Sequence, residues 1–285
     1  MSRLDRLAPP AAATVLLWIS RTLFGLLVSY PVFLAVQASS MTAGPDGDAG
    51  LFQPGSLLLL ELLRLSGPWL LGAARLALLL LGLSALFELV PFAMALDMLR
   101  LPIRPLRQRF QRAMRLFPSF FSLGAIALLG QAGILLAASL LGAALRPALA
   151  SVDERLRTLA PLSLIGLGLI ACGAFGGALD IARATLVRRA AHDDGEGGAR
   201  AALARALFCL RQRPLQVLVG LYPSVAGSAL SVLAAAWLLT RFVSQNSSGR
   251  ALALTFGLHQ LATLFALAWR VRWLGTALEL SAESD

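Results

Sequence analysis

Apolar runs close to 20 residues long recur along this chain, separated by shorter stretches dense in arginine. About 20 apolar residues in a helix reach across the ~30 Å hydrocarbon core of a bilayer. A spanning segment must satisfy its own backbone groups, which helices do. The runs therefore predict an all-α integral membrane protein. Of 285 residues, 58% are apolar and 14% charged, with mean hydropathy +0.75. A soluble domain of this length has too little interior for that much apolar surface.

The runs predict six transmembrane helices, at about 14–38, 69–96, 118–142, 161–181, 214–240 and from about 251 onward. Arg21 interrupts the first and is expected to snorkel towards headgroups. Val36-Gln37-Ala38 before Ser39 would suit signal-peptide cleavage, but Arg21, Tyr30 and Pro31 make a poor h-region, so a retained helix is favoured. Pro118 and Pro214 are expected to open the third and fifth spans, as proline can in a first helical turn. A short interfacial helix is expected over 56–66, after a turn-rich loop. Gly173-x-x-x-Gly177 puts two glycines on one face for close helix packing.

Ala95-Leu96-Asp97-Met98-Leu99-Arg100 ends the second run, and Ala178-Leu179-Asp180-Ile181-Ala182-Arg183 ends the fourth. Ala277-Leu278-Glu279-Leu280 is a weaker third copy without the arginine. In the first two, Arg follows the acid at i+3 on the same helical face. We read these as posts where a membrane helix re-enters water. They divide a single membrane domain, 1–285, into three hairpin-like repeats, 1–100, 101–183 and 184–285, with chance similarity in Leu- and Ala-rich sequence as the alternative.

All 25 basic residues are arginine, and the formal net charge is +10. In a soluble protein such charge raises nucleic acid as a partner; between apolar runs it reads as topology. With both termini cytoplasmic, 17 of the 25 arginines fall inside, a bias that favours that orientation. Lysine is absent, and the Ala-, Leu-, Gly- and Arg-rich composition is that of a GC-rich bacterial genome, so the expected location is a bacterial inner membrane. Within the first basic linker, Leu106, Phe110, Ala113, Met114 and Phe117 form one stripe, with Arg104, Arg107, Arg109, Arg112 and Arg115 around the opposite side. A second amphipathic helix over about 199–212 uses Leu203, Leu207 and Leu210, with Arg205, Arg211 and Arg213. Both are expected to lie at the interface with arginines on anionic phospholipid headgroups; an ordinary loop helix packed on protein is the alternative.

Catalytic signatures are absent: there is no HExxH, no GxSxG and no glycine loop before a lysine. Asp46-x-Asp48 and His192-Asp193-Asp194 read as solvated turns, so neither metal nor cofactor is expected. Glu88 is the unusual residue, an acid within the second span, on the side of Ser84 and Ala95. A buried carboxylate must be paired or protonated. Counting from the inner arginines places His259 level with it; aligning the repeat places Arg270 there instead. We follow the repeat and expect Glu88 to pair with Arg270 or Arg272, locking the first unit to the third.

Basic amphipathic helices ending near proline introduce the hairpins: Arg112-Ala113-Met114-Arg115-Leu116-Phe117-Pro118, and Arg205-Ala206-Leu207-Phe208-Cys209-Leu210-Arg211-Gln212-Arg213-Pro214. In this the chain resembles a loose group of bacterial six-span proteins akin to the membrane domain attached to some glycerophosphodiester phosphodiesterases. The resemblance covers most of the chain and implies an architecture without an active site. The expected function is that of a non-enzymatic protein organising lipid or a membrane protein partner, with a permease for a lipid-like or small solute as the alternative. A uniformly packed bundle would favour the first, and a polar cavity reaching Glu88 the second.

Overall fold

The computed structural model describes residues 8–37, 67–148, 154–190, 198–242 and 249–282. Among these the secondary structure is helical, in eight helices: α1 Ala8–Gln37, α2 Gly67–Phe87, α3 Leu89–Arg100, α4 Leu106–Ala148, α5 Glu154–Arg189, α6 Ala199–Gln212, α7 Pro214–Phe242 and α8 Gly249–Ala282. Five helical stretches are long and apolar enough to cross a membrane: Pro10–Ala35, Leu71–Arg100, Leu106–Leu145, Leu162–Arg189 and Pro214–Leu238. The chain is a multi-pass α-helical membrane protein. The segment 56–66, both acidic turns and the side chains of Arg146, Arg155, Arg157, Arg241 and Arg250 lie outside the described residues.

Proline accounts for three of the helix junctions. Pro91 has no N–H to offer the Phe87 carbonyl, and its ring crowds that carbonyl. The second apolar run accordingly breaks into α2 and α3 at Glu88, bridged by Glu88 N–H to Ser84 O at 2.8 Å and Phe92 N–H to Glu88 O at 3.1 Å. Pro102 and Pro105 separate α3 from α4. Arg213, pushed to φ −131° before Pro214, ends α6, and Pro214 opens α7 as expected. Pro118 does not open a helix. It lies inside the 43-residue α4, so the amphipathic segment and the third span are continuous. Pro118 and Met114, whose carbonyl it strands, are both exposed, while Ala113, Phe120 and Leu123 carry one buried stripe past it.

The helices pair as α1 with α2 and α3, α4 with α5, and α7 with α8. The pairs join where α3, α5 and α8 meet one another, and α8 also meets α1. The core sits there, at the end that carries the arginine-rich segments. Its largest fully buried side chains include Trp273, Phe120, Leu96, Leu123 and Leu179. Of the residues in the apolar windows only 11–28% are buried. The bundle is thus tight at one end and loosely packed along its apolar lengths.

The Ala-Leu-acid segments, expected as solvated posts, lie instead within the protein's packed end. Ala95, Ala178 and Ala277 are each 0% exposed, at the centre of the packed end, where small side chains let helices approach. Asp97 and Asp180 are buried with them, and only Glu279 is exposed. A second arginine-rich linker, expected over 183–213, starts later than that: residues 183–189 continue α5, with Ala184, Thr185, Leu186 and Val187 in the core.

Candidate functional site

Three carboxylates organise the charged groups. Asp97, near the C-terminus of α3, is surrounded by arginines from the α3–α4 turn and the start of α4. Arg109 Nη1 approaches Oδ2 at 3.4 Å, Arg112 Nη1 approaches Oδ1 at 3.4 Å, and Arg104 Nη1 stands 3.8 Å away. Arg109 also donates to the carbonyls of Leu101, Pro102 and Arg104, tying down the turn. Arg112 Nη2 reaches Ala190 O at 3.1 Å. Arg100, at i+3 from Asp97, donates from Nη1 to Val187 O and Arg188 O at the end of α5. Arginine suits that place because the last carbonyls of a helix have no partner within it and carry its negative pole.

Asp180 of α5 is 0% exposed and more fully satisfied. Arg270 Nη2 lies 2.7 Å from Oδ2 and 2.8 Å from Oδ1, Trp273 Nε1 donates to Oδ2 at 2.9 Å, and Arg183 Nη1 to Oδ1 at 3.2 Å. Here the i+3 pairing expected from sequence holds, and the Arg183 guanidinium also stacks over Phe92, 5.4 Å from the ring centroid. Trp273 fits because two glycines make room. A Cβ on Gly220 would stand 3.1 Å from its ring, and one on Gly177 3.4 Å from it and 2.8 Å from Leu221. Gly173, the other half of the Gly-x-x-x-Gly pattern, faces open space.

Glu88 is not joined to Arg270 or Arg272. Its Oε1 takes Arg21 Nε at 2.6 Å, across the α1–α2 contact. Arg270 is held by Asp180, and Arg272 lies over the Trp269 ring at 5.5 Å. The repeat alignment compares depth along a helix and carries no information about which helix stands opposite. Pro91 and Arg21 were the available signals: the first marks a bend at Glu88, the second is an intramembrane cation on the preceding helix. Beside the pair, Gln260 Oε1 of α8 accepts from Trp18 Nε1 at 3.0 Å and Thr22 Oγ1 at 3.2 Å. His259 lines a smaller groove, about 280 Å³, between α1 and α8. A groove of about 740 Å³ opens between α1 and α2, with Arg21, Ser84 and Glu88 in an otherwise mainly apolar wall.

The arginines assigned to headgroups divide. Arg109 and Arg112 turn inward to Asp97, with Arg104 beside them, because a buried acid there needs them. Arg107 and Arg115 are exposed, as is Arg211; Arg205 and Arg213 are half-buried. The predicted apolar stripe also splits: Ala113 faces the core, while Leu106, Phe110 and Met114 point outward at 60%, 50% and 48% exposure. On α6, Ala202, Ala206 and Cys209 are buried, whereas Leu207 and Phe208 are exposed.

Fold and charged clusters together define a multi-pass helical membrane protein stapled at one end by arginine–carboxylate contacts. No protein-family model, curated protein or solved structure matches the chain.

Proposed function

We propose that this is a non-enzymatic, multi-pass inner-membrane protein that organises lipid, with its packed, arginine-rich end on anionic headgroups. In this reading six helices cross a bacterial inner membrane as three hairpin-like repeats, α8 being the sixth, with both termini on the cytoplasmic side. That is also the architecture implied by the resemblance to phosphodiesterase membrane domains. The observation that carries the reading is the outward row Leu106, Phe110 and Met114, flanked by exposed Arg107 and Arg115. An apolar row on the water-facing end of a protein is unfavourable unless something covers it. With arginines beside it, the matching surface is a headgroup layer over acyl chains. Asp97 and Asp180 are committed to arginine, which supports a structural role for both.

The test is lipid identification by mass spectrometry on the full chain extracted from mixed zwitterionic and anionic bilayers. Each arginine near an anionic surface is worth ~1 kcal/mol, so the triple variant of Arg107, Arg115 and Arg211 to Gln should lose anionic-lipid enrichment by well over tenfold. Salt should weaken the wild type's enrichment. Equal enrichment in wild type and triple variant, insensitive to salt, refutes the proposal. A second reading, a permease for a lipid-like or small solute, draws on the groove that reaches Glu88. It requires that Glu88→Gln abolish a flux in proteoliposomes while leaving thermal stability intact.

A further inference from the structure

Arg21 and Glu88 sit at the floor of the α1–α2 groove, just above the packed end. Ala13 and Leu17, which pack on α8, mark that end on α1. Arg21 lies eight residues beyond Ala13, about 12 Å along the helix. From Arg21 the groove follows α1 through Phe24, Val28 and Val32 to Phe33. Twelve residues at 1.5 Å each give about 18 Å, a length over which an acyl chain can lie.

The polar floor is not self-contained. Arg21 uses only Nε and Glu88 only Oε1 in their contact; among the described residues neither makes another hydrogen bond. Their side chains remain 48% and 32% exposed. Ser84, on the same wall, is 5% exposed, and its Oγ has no hydrogen-bond partner. Unpaired donors and acceptors facing hydrocarbon are costly. The pair is also neutral overall. A lone anion drawn to the Arg21 Nη groups would meet the Glu88 carboxylate beside them. A zwitterion answers both halves, with phosphate oxygens on Arg21 and Ser84 and a primary ammonium on the free Glu88 Oε2.

We propose that this groove is a discrete site for an ethanolamine-type phospholipid, with headgroup on Arg21, Glu88 and Ser84 and one acyl chain along α1. The site deepens the lipid-organising reading and rests on it, but its selectivity is opposite in kind to that of the packed end. Anionic lipids are favoured there by net positive charge. In the groove an N–H-bearing zwitterion is favoured over both an anionic lipid and a choline lipid, whose quaternary nitrogen has no hydrogen to donate.

The experiment reconstitutes the full chain in nanodiscs with equal amounts of ethanolamine, choline and glycerol phospholipids of identical chains. Retained lipid is read by native mass spectrometry after mild extraction. Wild type should retain one ethanolamine lipid at about tenfold preference over choline, the equivalent of one charge-assisted hydrogen bond. Glu88→Gln should erase that preference, and Arg21→Gln should lose the lipid altogether. Gly25→Leu guards against misfolding of those two variants. Gly25 lines the groove with nothing within 4 Å of an added Cβ, so leucine has room to fill the space while both members of the ion pair are kept. It should expel the lipid while circular dichroism and melting temperature stay at wild-type values. Arg107→Gln with Arg115→Gln should weaken salt-sensitive anionic enrichment and leave the groove lipid in place, which separates failure of this site from failure of the interfacial reading. Equal retention of ethanolamine and choline lipids by wild type overturns the proposal, as does undiminished retention in Gly25→Leu. A photo-crosslinker at Ala85 that captures residues 38–66 or a second copy instead of lipid overturns it too.

Discussion

Asp180→Asn tests the staple at its most buried point. The substitution keeps volume, and the amide oxygen can still accept from Trp273 Nε1. What it removes is the negative charge facing Arg183 and Arg270, whose side chains are 14% and 33% exposed. Breaking a buried pair from one side costs ~3–5 kcal/mol. Arg270 can turn partly to solvent and recover some of this, so we take the lower end, ~3 kcal/mol. For a chain of this size roughly 2 °C accompanies each kcal/mol, giving a fall in Tm of about 6 °C. The assay is tryptophan fluorescence of the full chain in detergent on heating, at one fixed scan rate because unfolding of such proteins is often irreversible. Glu279→Gln is the control: this acid of the third copy is exposed, and its loss should stay within about 0.5 kcal/mol. In a double-mutant cycle, Asp180→Asn with Arg270→Gln should destabilise by less than the sum of the two, since both remove one contact. Glu88→Gln with Arg270→Gln should be additive, since these residues share no contact. A shift below about 2 °C for Asp180→Asn, or additivity with Arg270→Gln, refutes the assignment.

Gly227→Ala should destabilise by ~1–3 kcal/mol through overpacking, because its Cβ would run into the Trp269 ring; Gly173→Ala, facing open space, should be neutral or stabilising by up to ~1 kcal/mol, measured by the same melts. The Cys209 thiol is pushed above its ordinary range by burial, against a smaller opposing pull from Arg213. Since the thiolate is the nucleophile, maleimide labelling of Cys209 in a Cys172→Ser background should be slow at pH 7.5 and accelerate above the usual thiol range; labelling as fast as a free thiol at pH 7.5 contradicts this. For topology, single cysteines at Asp48 and Gly195, in a background lacking Cys172 and Cys209, should react from opposite sides of sealed vesicles, and same-side labelling contradicts the orientation.

The helices themselves were legible, because apolar run length is a one-dimensional property and the bilayer fixes the length required. The role of Pro214 was legible for a similar reason: Arg213 before it is driven out of the helical region by local sterics. Pro118 carries the same local signal, yet α4 runs through it, since the stripe of Ala113, Phe120 and Leu123 packs on both sides and Met114, whose carbonyl loses its partner, is an exposed residue. The charged clusters were harder. The arginines of 104–115 all looked like headgroup contacts because the acid that some of them serve, Asp97, belongs to another helix. Which of them turn inward depends on the direction in which α4 crosses α3. Glu88 posed the same difficulty, for depth along a helix was readable while direction around it was not.

The packing of this bundle follows from where water is. Acyl chains solvate a Leu- or Ala-rich helix as well as another helix does, so within hydrocarbon there is little drive to bury apolar surface. Helices that meet only lipid can diverge without penalty, consistent with the low burial of the apolar windows. On the interfacial reading proposed above, the packed end meets water, where burial again removes apolar surface from it; Trp273, Phe120 and Leu96 gather there. Apolar packing alone does not fix the relative register of three helix pairs. Asp97 and Asp180 can do so, because displacing either would leave a buried carboxylate and its arginines unpaired. The same division leaves α1 and α2 free to part above the packed end, with Arg21 and Glu88 at the point of separation. The groove is thus the consequence of concentrating the protein's own cohesion at one end, and lipid is the component present in quantity to fill it.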